Sequence, residues 1–312
     1  MKIYTDISQF KARNPVVTIG MFDGVHCGHR AILEHVKDAA TQCDGESVVL
    51  TFWPHPRMLF EGKDCSMRFL TSIEEKAALL ESIGIEHFIV YPFSPEFASL
   101  SPLQYVEEIL VKRIALKKVI IGYDHRFGHK GSGGFDEMVT FGMQFGFEVE
   151  QIPAVDVDDV NVSSSKIREA LLHGNVDKAK AYLSYTYRIP GTVIKGNQIG
   201  RTIGFPTINI EPLFAQKLIP GNGIYVVEVV IDDCFYHAVA NVGNRPTVVE
   251  NQKVPNVEAY ILDFNDDVYG KKVEIRFLAF LREEQKFASL DALIEQIQKD
   301  VVQTREYFGT VI

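Results

Sequence analysis

GMFDGVHCGHR, residues 20–30, follows the apolar run Val16-Val17-Thr18-Ile19 and leads into Ala31-Ile32-Leu33-Glu34-His35-Val36. A β-branched run that ends in glycine and gives way to helical spacing reads as a strand turning into a helix. Gly24 and Gly28 let the backbone turn sharply and approach a ligand closely. The first turn of the helix that follows carries free N–H groups at the positive end of the helix dipole, a place that favours an anion. His26 and His29, three apart, face the same side of that turn. An imidazole can donate to phosphate oxygens and gains charge easily near neutral pH. Half a metal site and a purely structural turn compete for the same residues. The segment supplies no cysteine pair or well-spaced carboxylate for the first, and the second explains the glycines but not both histidines. It is not a Walker loop, because G-x-x-x-x-G-K-[ST] occurs nowhere in the chain.

Outward from this turn, β-rich runs alternate with amphipathic helices. Strands are expected at 16–22, 47–53, 87–93, 117–124 and near 147–153; helices at 28–42, 72–83, 101–115 and near 135–145. The strands are nearly continuous apolar runs, as parallel strands covered on both faces require. Repeated β-α units predict a doubly wound α/β sheet, whose ligands bind at the carboxyl ends of the strands. Residues 20–29 and 122–134 both lie just past strand ends. Residues 163–182 read as two short closing helices. From about 187 the pattern changes to short strands separated by Gly, Asn and Asp turns, with one amphipathic helix at 289–308. That predicts an antiparallel barrel and domains at 1–183 and 184–312.

Bulk properties limit the partners. Net charge is −9. Residues 1–183 carry 19 basic and 25 acidic side chains and the remainder 13 and 16, so neither half is a basic nucleic-acid-binding module. The four cysteines are scattered and form no C-x-x-C pair, which argues against a zinc ribbon or a disulfide framework and fits a reducing cytosol. The start, MKIYTDISQF, lacks a signal pattern, and no run approaches the roughly 18 apolar residues of a membrane span. A soluble cytoplasmic protein is expected.

Three more segments of the first half bear on the turn. VSSSKIREAL (162–171) sets serines before Lys166 and Arg168. The serines suit helix caps, but positive charge in a first helical turn opposes the dipole, and a bound anion would offset that cost. A solvated basic face is the plainer reading. IGYDHRFGHKGSGG (121–134) joins a strand end, Asp124, Arg126 and a glycine-rich loop. TFWPHP (51–56) puts His55 between prolines past another strand end, where a rigid surface turn would also fit.

In the second half, GRTIGFPTINI (200–210) is the strongest signal. Thr207 and Asn209 point the same way in an extended segment. A hydroxyl and an amide oxygen side by side are hard ligands suited to Mg²⁺, which keeps waters and is shared with phosphates. An edge strand with polar outward residues is the alternative. NVEAYILDF (256–264) adds Glu258, a solvated edge carboxylate or a general base that accepts a hydroxyl proton. NVGNRPT (241–247) and FLREEQKF (280–287) place Arg245 and Arg282 in expected loops, where surface ion pairing would suffice.

Taken together, GMFDGVHCGH and SSSKIREAL resemble the H-x-G-H nucleotidyltransferases, in the branch that makes FAD from FMN. TFWPHP, FLTSIEEKAALL (69–80) and IGYDHRFG (121–128) match that branch in order and spacing. G-R-x-x-G-F-P-T-x-N, N-V-G-x-R-P-T, V-E, Y-G-K and F-L-R-E, across roughly 187–307, resemble riboflavin kinase. The chain is thus similar to bacterial bifunctional riboflavin kinase/FAD synthetases. The resemblance implies a Rossmann-like domain followed by a six-stranded antiparallel barrel with a C-terminal helix. It implies that Gly20, Phe22, Asp23, Gly24, His26 and His29 bind ATP, with the two histidines stabilising charge as pyrophosphate leaves. Ser164, Lys166 and Arg168 would embrace the phosphates. Asp124, His55, Arg126 and Arg282 would lie near flavin. In the barrel, Gly204, Thr207 and Asn209 would serve Mg²⁺-ATP and Glu258 would be the base. ATP is then a co-substrate, and FMN and FAD are intermediate and product rather than prosthetic groups. The expected partners are riboflavin, FMN and ATP, with no nucleic acid and no membrane, and with weak self-association left open. A cytidylyltransferase acting on a phospho-alcohol is a rival that leaves the barrel motifs unexplained. A non-catalytic flavin sensor is a second rival, against which the presence of Glu258, Thr207, Asn209, His26 and His29 argues.

Overall fold

The computed structural model describes residues 1–61, 66–123, 125–153, 156–157, 160–196, 199–246 and 253–309. The chain divides into two compact units, Met1–Ser163 and Ser164–Ile312.

The first unit contains β1 (Lys2–Tyr4), β2 (Val16–Ile19), β3 (Ser47–Trp53), β4 (His87–Pro92), β5 (Lys118–Gly122) and β6 (Glu148–Ile152). They form one sheet in the order β1-β4-β3-β2-β5-β6, with every pairing parallel. Helices α1 (Cys27–Gln42), α2 (Pro56–Glu61), α3 (Ile73–Ile83), α4 (Pro95–Ala98), α5 (Pro102–Tyr105) and α6 (Phe135–Phe145) connect the strands, and a π-helical stretch, Val106–Ile114, continues α5. A two-stranded ribbon, β7 (Asp156–Val157) and β8 (Val160–Asn161), follows β6.

The sheet is covered on both faces, which is why its strands read as unbroken apolar runs. On one face Val17, Ile19, Val48, Leu50, Val119 and Ile121 pack with Val106, Ile109, Leu110 and Met138. On the other, Val16 and Ile120 meet Val36, Ala39 and Ala40 of α1. The buried residues of α1 are Leu33, Val36, Ala39 and Ala40, a stripe at helical spacing. From β2 the chain steps outward through β3 to β4, then returns to place β5 on the other side of β2. The point where the order reverses is where such sheets open a crevice.

The second unit begins with α7 (Ser164–Leu172) and α8 (Val176–Leu183). Six strands follow: β9 (Arg188–Ile194), β10 (Thr207–Pro212), β11 (Gly223–Ile231), β12 (Cys234–Pro246), β13 (Lys253–Ile261) and β14 (Lys272–Arg282). They close into a barrel in the order β10-β13-β12-β11-β14-β9, all antiparallel. A short α9 (Ile199–Thr202) precedes β10, and α10 (Leu290–Tyr307) ends the chain. Tyr225, Val226, Val227, Val229, Ile275 and Phe277 fill the core.

Several local expectations shift. β2 stops at Ile19 rather than 22, because the chain turns at once and Phe22 takes a φ of 47°. β1, α2 and α4 were not foreseen; each is six residues or fewer, too short to show a period. Arg245 and Arg282, expected in loops, lie at the ends of β12 and β14. α7 and α8 group with the barrel by compactness: the Gly221 amide donates to the Leu171 carbonyl, and Ile167, Leu171, Val176 and Leu183 are buried.

Candidate functional site

The turn after β2 is held in an unfavourable backbone conformation by its surroundings. Phe22 and Val25 have φ of 47° and 40°, and Gly24 has 83°. For side-chain-bearing residues such a conformation costs about 1–3 kcal/mol each and persists only where neighbours over-determine it. The neighbours are identifiable. The Asp23 carboxylate accepts from the Leu70 and Thr71 amides and from the Thr71 hydroxyl. That hydroxyl accepts from the Gly24 amide at 3.0 Å. The Lys76 Nζ donates to the Met21 carbonyl at 2.5 Å. FLTSIEEKAALL is therefore the clamp on the turn, with α3 begun by a Ser72–Glu75 capping box.

His26 caps α1: its Nδ1 accepts from the His29 amide at 3.3 Å. The two rings stack with centroids 3.6 Å apart. Burial lowers the His26 imidazole to about 4, opposed by the Asp23 carboxylate. Burial also holds His29 well below the ordinary histidine range, helped by His26 and Lys76. Both rings are thus neutral at pH 7, which corrects the expectation that they gain charge there. Each offers an N–H, not a cation.

Four adjacent strands end on one cavity of about 1120 Å³. Gly20, Phe22 and His29 line it after β2, Phe52 at the end of β3 and Pro56 after it, Phe93 and Phe97 after β4, and Gly122 at the end of β5 and Arg126 after it. Its aromatic side is a connected cluster: Phe52–Phe97 centroids lie 5.2 Å apart, Phe93–Phe97 5.5 Å and Phe60–Phe93 6.1 Å. A flat ring can stack there while an anionic group meets the helix start. These phenylalanines were missed from sequence. Their only signal is position, since most follow strand ends in TFWPHP and YPFSPEF.

The other residues expected around this turn fall in different places. Asp23, Gly24 and His26 are buried and are not among the residues that line the cavity. His55 is buried against Phe69, with its Nδ1 accepting from the Arg57 amide. Arg126 is exposed and lines the cavity. Asp124 lies outside the described residues. Ser164, Lys166 and Arg168 are in the first turns of α7, within the second unit.

In the barrel, strand register assembles a polar row. Asn209 on β10 stands opposite Glu258 on β13, and Asn241 on β12 stands opposite Glu258 from the other side. Directly opposed residues share a face. Asn256, two residues before Glu258, donates from Nδ2 to Glu258 Oε1 at 2.7 Å and to Asn209 Oδ1 at 3.3 Å. Asn209 is buried. A Cβ on Gly196 would meet its amide nitrogen at 2.1 Å, so only glycine allows this approach. Thr207 lines a separate cavity of about 260 Å³ with Arg201, Phe264 and Tyr269. Gly204, with φ of 87°, makes the turn that delivers Phe205-Pro206-Thr207. Hydroxyl, amide and carboxylate oxygens on neighbouring strands fit Mg²⁺, leaving most of its octahedron to phosphate and water. Asn256 was not foreseen; its spacing of two from Glu258 was the available signal.

Arg282 is held by a bidentate pair, Nε to Asp300 Oδ1 at 2.8 Å and Nη2 to Oδ2 at 2.6 Å. Asp300 on α10 is 2 % exposed and also accepts from Gln296. Asp300→Ala would remove both carboxylate bonds to the guanidinium, leaving Nη1 on the Glu283 carbonyl, and is expected to destabilise the barrel by about 3 kcal/mol, read as a lower urea midpoint.

Comparison with known proteins matches two families in order along the chain. An FAD synthetase family model matches residues 8–166 and a riboflavin kinase family model residues 183–308. A bifunctional riboflavin kinase/FMN adenylyltransferase of Listeria monocytogenes is 35% identical, covering 95% of this chain and 93% of its own. That of Escherichia coli K12 is 36% identical, covering 97% and 96%. A crystal structure from Streptococcus pneumoniae, described as a macrolide-efflux protein, is 31% identical with a TM-score of 0.88, covering 97% of this chain and 98% of that one. The efflux description belongs to that protein; here, no helix among the described residues is long and apolar enough to cross a membrane. With both family models matched in order and relatives aligned over nearly the whole length, the chain belongs to the bifunctional riboflavin kinase/FMN adenylyltransferases, its FAD synthetase part first and its riboflavin kinase part second.

Proposed function

We propose that the two activities use the two sites described above. In the first unit, an FMN phosphate oxygen attacks the α-phosphorus of ATP, and pyrophosphate leaves. The observation that carries this is the cavity itself: aromatic rings on one side, a clamped helix start and the His29 imidazole on the other. His29 donates a hydrogen bond to phosphate oxygens, where preorganised donors stabilise developing charge. His26 fixes the helix start that presents it. Gly20 and Phe22 shape the entrance, and Asp23 and Gly24 hold the turn through Thr71. The resemblance of SSSKIREAL assigns Ser164, Lys166 and Arg168 to phosphate binding in this reaction. Asp124, His55 and Arg126 belong to the flavin side.

In the barrel, the terminal ribityl hydroxyl of riboflavin attacks the γ-phosphorus of ATP, and ADP leaves. Glu258 takes the hydroxyl proton. Asn256 orients the carboxylate by occupying Oε1. Thr207 and Asn209 hold Mg²⁺, which neutralises phosphate charge when bound, and Gly204 shapes the ATP approach. Phosphoryl transfer needs mainly positioning and charge stabilisation, and a row of oxygen donors set by strand register provides it. Arg282 lies on the flavin side, steadied by α10. Chromatography of FMN and FAD formed from riboflavin, ATP and Mg²⁺ tests the pair of reactions. FMN without FAD would remove the first site, and neither product would remove both.

We place the division of activities at 183/184. The barrel and α10 then hold the kinase, while α7 carries Ser164, Lys166 and Arg168 for the other reaction. A fragment of residues 184–312 should phosphorylate riboflavin but melt earlier than one of residues 164–312. It loses the buried Ile167, Leu171, Val176 and Leu183, each worth about 1.5–3 kcal/mol when fully buried. A folded but inert 184–312 fragment would move the boundary back to α7. Free thiols at Cys27, Cys43 and Cys234 support a cytoplasmic enzyme acting on small molecules. The acidic charge of both halves supports a protein without nucleic-acid or membrane partners; weak self-association is compatible with this reading.

A further inference from the structure

Lys76 is the charged residue in an otherwise apolar buried face of α3, among Ala77, Leu79, Leu80 and Ile83. It is 4 % exposed. Burying an ammonium is strongly disfavoured unless a partner or a function compensates. Its Nζ reaches the carbonyl of Met21, between Gly20 and Phe22 in the strained turn.

Among the described residues, several charged or titratable groups bear on it. Asp23, from the same turn, acts favourably on Lys76 and on His26. His26 and His29 stand at the start of α1, and Lys76 helps to keep His29 neutral. Arg30 follows them on α1. On α3 itself, Glu74 and Glu75 are engaged with Ser72. The Asp23 carboxylate is tied to Leu70 and Thr71. With both imidazoles neutral, the ammonium is a cation built into the back of the phosphate turn.

We propose that Lys76 is a positioning residue of the adenylyltransferase site: its buried ammonium fixes the Met21 carbonyl, and with it the turn, and supplies positive field that draws the triphosphate toward His29. This rests on the assignment of the turn to ATP phosphates. Lys76 touches no reacting atom; it acts through the backbone and through space. Burial lowers its amine to about 8. The charge is therefore present below that pH and lost as pH rises through it. Because kcat/KM reports groups of the free enzyme, the loss should appear there.

The test uses the full chain, with FAD formation from FMN and ATP followed from about pH 6.5 to 9.5, a range that spans the lowered amine. In the unaltered chain kcat/KM for ATP is expected to fall above about pH 8. Lys76→Arg, which stays charged throughout, should lack that fall. Lys76→Met should lose about tenfold or more at pH 7 and stay flat above it. Riboflavin phosphorylation by the same preparations is the internal control and should not change with either variant. Lys76→Met within twofold of the unaltered chain would overturn the proposal, and so would the same alkaline fall in Lys76→Arg. If Lys76→Met fails to fold by circular dichroism, the Lys76→Arg profile decides. His29→Ala is run alongside. A loss there with normal Lys76→Met overturns this proposal alone; normal FAD formation in both overturns the assignment of the turn.

Discussion

Glu258→Gln is expected to lower riboflavin phosphorylation by about 10²–10⁴ in turnover, the usual range for removing a general base. The amide matches the carboxylate in shape but lacks its basicity. Asn256 donates to Glu258 Oε1, which fixes the plane of the carboxylate. Affinity for riboflavin and Mg²⁺-ATP should change much less, because the proton moves only as the transition state forms. The same variant should still convert supplied FMN to FAD. The competing reading is that Glu258 merely decorates a strand. Surface substitutions of that kind usually shift stability within about 0.5 kcal/mol, and turnover would then be near normal. Steady-state kinetics of FMN formation, with riboflavin binding measured separately, distinguish the two.

His29→Ala is expected to reduce FAD formation by about 10²–10³, the usual cost of losing one preorganised donor at developing charge. Since burial keeps the ring neutral, the loss is that of an aimed N–H rather than a cation. Its effect should therefore persist at high ionic strength, where long-range attraction is screened. His29 also stacks on His26, so the variant must be shown folded. His26 keeps its own helix-capping geometry through the His29 amide, which alanine retains. Riboflavin phosphorylation should be nearly intact. Equal loss of both activities in a folded variant would count against separate sites.

Much of this protein was legible without coordinates. Apolar runs of strand length, each followed by a helical period, were enough for a parallel doubly wound sheet, because covering both faces leaves no polar alternation. The turn at residues 20–30 was legible as a strand passing through glycines into a helix start, because glycines, helical spacing and two histidines meet there within one short segment. GFPTIN and NVEAY placed Thr207, Asn209 and Glu258 on strands, where a period of two states which side chains share a face. Local signals suffice for all of these.

The tertiary structure decided what depends on residues distant in the chain. No pattern in KAALL says that Lys76 will lie under Met21, since a lysine on an amphipathic helix ordinarily reaches solvent. Nor could the sequence say that Phe52, Phe93 and Phe97 would form one wall, because each is an isolated aromatic until β3 and β4 pair. The charge state of His26 and His29 was likewise beyond reach: burial, not residue type, sets it. Opposing Asn209 to Glu258 required the register of β10 on β13, and the Arg282–Asp300 pair required α10 to return to the end of β14. Residue types and short spacings name the chemistry available; long-range packing determines which groups are desolvated, paired and aimed, and that is where their reactivity is set.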